Sequence, residues 1–184
     1  ALDELSLLRG KLFGEPAWHD RALATLANEV RLIDPVWGGM YQYSVGGTWD
    51  QPHYEKIGAI QAGALESLAL AYRRTGDERW RSAAHLQRRY VLGPMQHPEG
   101  GFFTSQDADL QRPGQDPVLG ADYYAKDDAA RRALGLPRID QNVYADLRAA
   151  KKRLLMFTTV GCVAATAALA ASEAMKRRSS CTCG

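Results

Sequence analysis

The chain of 184 residues carries 23 Lys and Arg against 21 Asp and Glu, with 46% apolar residues, 9% aromatic residues and three cysteines. That length and composition fit one ordinary domain with an appendage, and they exclude a disordered chain, a collagen-like repeat and a disulfide-stapled mini-protein. The charge is unevenly placed. Residues 148–184 hold seven basic side chains against one acidic, a net of +6, which leaves 16 basic and 20 acidic in residues 1–147, a net of −4. A globular part, 1–147, and a basic tail, 148–184, follow from this division. An acidic globular part repels polyanions and argues against nucleic-acid binding.

In chain order, Ala17 to Ile33 places Leu23, Leu26, Ala27, Val30 and Ile33 on one helical face, and Asp34-Pro35 ends it. Val36 to Lys56 is rich in glycine and aromatic residues and too irregular for a helix; the alternation over Met40–Val45 predicts a short strand or hairpin. Glu55 to Arg74 is again helical, with Ile57, Ile60, Ala64, Leu68 and Tyr72 on one side. Thr75-Gly76-Asp77 supplies a C-cap and then an N-cap, so the next helix, Glu78 to Val91, folds back on it. Gly93-Pro94 stops that helix, a glycine-rich and polar loop follows, and Asp127 to Leu134 predicts one more short helix.

The tail has a different character. Leu154 to Ala171 is eighteen residues without charge, flanked by Arg148, Lys151, Lys152 and Arg153 before it and Lys176, Arg177 and Arg178 after it. As a helix it would be about 27 Å long, close to the hydrocarbon thickness of a bilayer. We therefore expect a single transmembrane helix over about 154–172; an Ala-rich soluble helix is the alternative. Gly161 with Ala165, and Ala164 with Ala168, are small residues four apart, a spacing that lets helices in lipid approach closely. The excess of basic residues upstream orients the globular part toward the cytoplasm. A start at Ala1 fits removal of either Met or a leader, so the periplasmic face is the other option. The globular part has no cysteine, which leaves no zinc site or disulfide framework; Cys162, Cys181 and Cys183 belong to the tail. No cofactor or metal is expected.

Four ordered blocks, DPVWGGMYQYS (34–44), TWDQPHYEK (48–56), LALAYRRTGDERW (68–80) and PEGGFFTSQDADL (98–110), together with 121–147, resemble one family. These are the bacterial thioredoxin-domain-containing proteins related to the spermatogenesis-associated protein. Their C-terminal portion is an α/α toroid similar to N-acylglucosamine 2-epimerases and six-hairpin glycosidases. The resemblance implies an all-α fold, here a partial toroid of helical hairpins with Gly-rich loops and short β hairpins. It also implies that the segment of His53, Glu55 and Lys56 faces the toroid centre, where a His and a carboxylate could act as general acid and base on a sugar. The family's Asp-Asn a few residues later is replaced by Ile60 and Gln61, and no thioredoxin-type Cys motif precedes the toroid portion.

Each candidate has a plainer alternative. His53 could cap a helix and Glu55 favour its N-terminal dipole. Asp107 and Asp109 could hold a loop rather than Ca²⁺, which needs six to eight oxygens. Asp127 and Asp128 read as capping residues, and His19, His85 and His97 as isolated side chains. Trp37, Tyr41, Tyr43 and Trp49 could stack a sugar or anchor an interface. An open arc of about 147 residues encloses no chamber, so the leading expectation is a non-enzymatic accessory subunit in a bacterial inner membrane. It would contact a larger integral membrane complex, respiratory or photosynthetic, through its helix, the bilayer and loop 36–49. The alternative is a carbohydrate-active enzyme, epimerase- or hydrolase-like, or a sugar-binding module, using the region of His53 and Glu55.

Overall fold

The structure, a computed structural model, describes residues 2–143. Two helical hairpins lie at its centre. The first joins α1 (Leu2–Leu12) to α2 (Pro16–Glu29), with Pro16 in the first turn of α2, where its missing N–H costs nothing. The second joins α3 (Gly58–Thr75) to α4 (Glu78–Val91). Gly76 closes α3 in the left-handed region (φ 68°) and donates its N–H to the Tyr72 carbonyl at 2.8 Å, and the Asp77 carboxylate opens α4 by accepting from the Arg79 N–H at 3.0 Å. This is the cap pair predicted from Thr75-Gly76-Asp77.

The core is continuous across both hairpins. Leu7, Ala22, Leu26, Leu32, Leu68, Ala71 and Trp80 form one buried cluster. Leu65, Tyr90, Val91, Met95 and Phe102 extend it beneath the loop after α4. A third, aromatic cluster of Tyr41, Leu110, Tyr123 and Tyr124 joins the loops to α5 (Gly120–Tyr124) and α6 (Asp128–Leu134).

Short antiparallel strands pin the loops. β1 (Tyr43–Ser44) pairs with β2 (Pro52–His53), in the register Tyr43 to His53. β3 (Lys56–Ile57), β4 (Ser105–Gln106) and β5 (Ile139–Asp140) form a three-stranded sheet in that order, with β4 at its centre. The hairpin expected over Met40–Val45 is therefore present, with one strand at Tyr43–Ser44 and its partner at 52–53. The predicted start of α3 at Glu55 is too early: pairing with β4 holds Lys56 and Ile57 extended, and the helix begins at Gly58. Neither α1 nor α5 was anticipated.

The expected single-pass location in the inner membrane is corrected. Among the described residues no helix is long and apolar enough to cross a membrane. The 18-residue α3 carries Glu66, Arg73 and Arg74 and packs Gln61 and Ser67 into the protein. The orientation toward the cytoplasm falls with that location. Segment 154–172, with Gly161, Ala164, Ala165 and Ala168, lies outside the described residues.

Replacing Leu68, 1% exposed at the junction of the hairpins, with Ala should cost about 2–5 kcal/mol in urea unfolding. Leu12→Ala, at a side chain 70% exposed, should stay within about 0.5 kcal/mol.

Candidate functional site

A cleft of about 720 Å³ opens between α3, the end of α2 and the loop that enters β1. One turn after another of α3 forms its floor, through Ala59, Ile60, Gly63, Ala64 and Ser67. Tyr41, Tyr43 and Trp49 also line it, together with Met40 and Leu32, and Glu29, Gln42, Ser44 and Ser67 are among its polar members. Sequence reasoning named the three aromatic residues, and the fold brings them to one place.

Trp49 is held there against its own backbone preference. Its φ of 62° is the left-handed conformation, which a bulky side chain rarely adopts. Such a conformation costs roughly 1–2 kcal/mol and persists only where the surroundings enforce it. Here the Trp49 N–H donates to Ser44 Oγ at 2.8 Å and the Val45 N–H to the Gln51 carbonyl at 2.7 Å, which closes the loop around Gly46 and Gly47. Thr48 also bonds Asp50 across the tip. Tyr43, 49% exposed, is backed by His53, whose ring stacks on it at 4.9 Å and 9°.

Behind the aromatic wall lies a charged cluster without solvent contact. Asp34, Lys56 and Arg131 are each 0% exposed. Asp34 Oδ2 accepts from Lys56 Nζ at 2.8 Å and from Arg131 Nη1 at 2.7 Å, while Oδ1 accepts from the Val36 N–H at 3.0 Å. Lys56 also donates to the Gly38 carbonyl at 2.8 Å, and Arg131 to the carbonyls of Lys126 and Tyr124 at 2.9 and 2.6 Å. The ammonium sits over three rings, Tyr90, Tyr124 and Tyr41, at 4.6, 4.8 and 5.3 Å from their centroids. Two cations thus share one carboxylate, a buried net charge of +1 spread over aromatic faces. Burial pulls the Lys56 ammonium down to about 8, against the upward pull of Asp34. Burial alone would raise the Asp34 carboxyl, yet Lys56 and Arg131 together hold it below its ordinary range.

The cluster fixes the loop that carries the wall. The Asp34 N–H donates to the Gly39 carbonyl at 3.0 Å and the Gly38 N–H to the Asp34 carbonyl at 2.9 Å. Gly38 and Gly39 have positive φ and press against α4; a Cβ would stand 2.1 Å from the Leu86 carbonyl oxygen and 2.5 Å from the Tyr90 ring. On the other side Gln61 grips Met40, accepting from its N–H at 2.7 Å and donating to its carbonyl at 2.8 Å, and Gln87 donates to Gln61 Oε1 at 2.7 Å.

Other predicted residues fall elsewhere. Trp37 does not reach the cleft; its Nε1 donates to Asp128 at 2.6 Å and its ring meets Tyr123 edge-on at 6.2 Å. His53 and Glu55 do not line the cleft, and neither caps α3, whose N-cap is Ile57. His53 Nδ1 is buried without a hydrogen-bond partner. Asp107 pairs with Arg138 at 2.9 Å, Asp109 accepts from the Gly120 N–H at 2.7 Å, and Asp127 caps α6, so the loop and capping alternatives describe all three. Among the described residues no group of three His, Cys, Asp or Glu side chains could hold a metal. Asp34, Arg131 and Gln87 were missed as functional residues, and Lys56 was named only as a neighbour of His53 and Glu55.

Asp34→Asn should destabilise the fold by about 3–5 kcal/mol, because it strands two buried cations. Lys56→Met, which leaves a one-to-one pair, should cost far less in the same denaturation series. The pH dependence has a definite sign. Lys56 has a folded value of about 8 against 10.5 ordinarily, so its contribution is complete above pH 10.5 and lost as pH falls through about 8. Tyr41, Tyr90 and Tyr124, raised first by burial and then by neighbouring phenols and Asp34, lose stability above pH 10. Stability should therefore climb between about pH 8 and pH 10 and then fall, and Lys56→Met should flatten the climb. Trp49→Gly, which relieves the backbone, should be more stable than Trp49→Ala by about 1 kcal/mol.

No family model matches the chain. Over 91 residues it is 35% identical to spermatogenesis-associated protein 20 of Homo sapiens, and 34% identical to the protein of that name in Mus musculus and in Rattus norvegicus. Each match covers 49% of this chain and 12% of the relative, so the chain spans about an eighth of the curated relatives it matches. These relatives are mammalian, and the expected bacterial assignment gains no support from them. The fold is similar to a crystal structure of a family 76 glycoside hydrolase from a bovine Bacteroides thetaiotaomicron strain, with a TM-score of 0.64, 12% identity, and coverage of 85% of this chain and 29% of that one. At that identity the likeness is one of fold: a helix-rich chain with a glycosidase-like α/α toroid architecture, partly homologous to spermatogenesis-associated protein 20.

Proposed function

We propose that this chain is the sugar-recognition part of a carbohydrate-active α/α toroid, and that the cleft between α3 and Trp49 binds a sugar ring. One observation carries the reading: Tyr41, Tyr43 and Trp49 converge on a cleft whose fold is shared with a glycoside hydrolase. A pyranose presents an apolar C–H face and a rim of hydroxyls. Flat aromatic walls suit the face, and the neutral polar members of the cleft suit the rim. The strained Trp49 supports the same reading, because backbone strain that the surroundings enforce concentrates at ligand-binding positions. The accessory-subunit reading, with loop 36–49 as a contact surface, has no comparable observation in its favour.

Catalysis by His53 with Glu55 is a second reading, supported by the stack of His53 on Tyr43 and its unpartnered Nδ1. In that case Glu55→Gln removes turnover of a sugar that the protein still binds. The binding proposal is tested by ligand-observed NMR of the full chain with a panel of mono- and oligosaccharides. Saturation transfer from the protein that disappears in Trp49→Ala, while the unfolding transition remains cooperative, is the expected result. Equal transfer in both proteins, or none to any sugar, contradicts it.

A further inference from the structure

We infer that the cleft selects an uncharged sugar ring, seated over the bare backbone of α3 at Gly63 with its hydroxyls on Ser67 and Gln42; this rests on the sugar-binding reading above.

Gly63 lies in the interior of an 18-residue helix, where glycine is less favourable than alanine. Elsewhere in this fold glycines are tied to need: Gly38 and Gly39 have positive φ and crowded surroundings. Gly63 has neither. A Cβ there meets nothing within 4 Å, and the residue lines the cleft. Its missing side chain leaves a bare stretch of helix in the same cleft that Tyr41, Tyr43 and Trp49 line.

Ser67 stands one turn further along the same face. It is 4% exposed and lines the cleft. A serine hydroxyl both donates and accepts, so at the cleft wall it can meet a sugar hydroxyl in either sense. Gln42 supplies a second neutral side chain, with one amide donor group and one acceptor.

The charge of the lining sets the class of ligand. None of the lining residues is Lys, Arg or His, and the lining carboxylate, Glu29, is already engaged in an interaction of its own. Lys56 lies behind the Tyr41 ring and spends its donors on Asp34 and Gly38. A carboxylate or phosphate entering the cleft would lose its hydration and find no cation among the lining residues, whereas a neutral ring carries no charge to desolvate and exchanges hydroxyl hydration for hydrogen bonds to the lining.

The test uses the full chain and two probes, a neutral gluco-oligosaccharide and its uronic-acid counterpart, with wild type, Gly63→Phe, Gly63→Ala, Ser67→Ala and Trp49→Ala. The neutral probe should bind wild type at least about tenfold more tightly than the uronic one, the equivalent of one misplaced polar interaction. Gly63→Phe should abolish binding and Ser67→Ala weaken it several-fold, while Gly63→Ala raises Tm and so separates blocking from misfolding. Gly63→Phe or Ser67→Ala binding as wild type does, or a uronic probe binding as tightly as the neutral one, overturns the inference. If Trp49→Ala still loses binding in that event, the sugar-binding reading stands without it. Binding of neither probe to wild type overturns the inference, and absence of binding across the whole saccharide panel overturns the sugar-binding reading as well.

Discussion

The Asp34–Lys56–Arg131 cluster is the constraint on which the loop architecture depends. Its three members come from the end of the first hairpin, the strand before α3 and the helix α6, segments far apart in sequence. All are removed from water, and the desolvation that this entails is recovered through direct ion pairs, backbone carbonyls and three tyrosine rings. A buried arrangement of this kind is unforgiving: Lys56 holds two acceptors and Arg131 three, and together they tie down the loop that starts at Asp34. Hydrophobic packing alone would define the two helical hairpins but not the placement of the aromatic wall against α3.

From that anchor the cleft follows in steps. Lys56 holds the Gly38 carbonyl, the paired glycines bring the loop against α4, and Gln61 takes both backbone groups of Met40. Tyr41 then has the charged cluster behind it and the cleft beside it. Ile60 and Gln61 stand where the resembled family carries Asp-Asn, and they divide the work: Ile60 faces the cleft and Gln61 turns into the core. The apolar floor and the buried clamp are thus adjacent residues of one helix.

The parts of this fold that depend on local chemistry were legible in the sequence. The α3–α4 hairpin follows from Thr75-Gly76-Asp77, because capping is decided within a few residues, and α6 follows from Asp127 in the same way. Tyr41, Tyr43 and Trp49 could be singled out because large aromatic residues in a Gly-rich loop have few other uses. What could not be read is the long-range pairing. Asp34 looks like a helix stop beside Pro35, Lys56 like a helix-start charge, and Arg131 like one more basic residue on an exposed turn; their meeting depends on tertiary folding. A residue such as Lys56, whose three tyrosine rings come from separate segments, carries only a faint signal of burial in its own sequence neighbourhood. The premature start for α3 has the same origin, since the helical periodicity of Ile57 was overruled by pairing with β4. Trp37 was grouped with the other aromatic residues by proximity in sequence, yet two glycines with positive φ turn it to the far side of the loop.

The central claim is that a sugar ring lies between Trp49 and the bare face of α3. A crystal structure of the full chain soaked with a neutral oligosaccharide tests it most directly. The account predicts a pyranose packed face-on against the Trp49 indole, over Gly63, with a hydroxyl on Ser67. A cleft filled by another protein segment, or a sugar seated elsewhere with the cleft left to water, would contradict it.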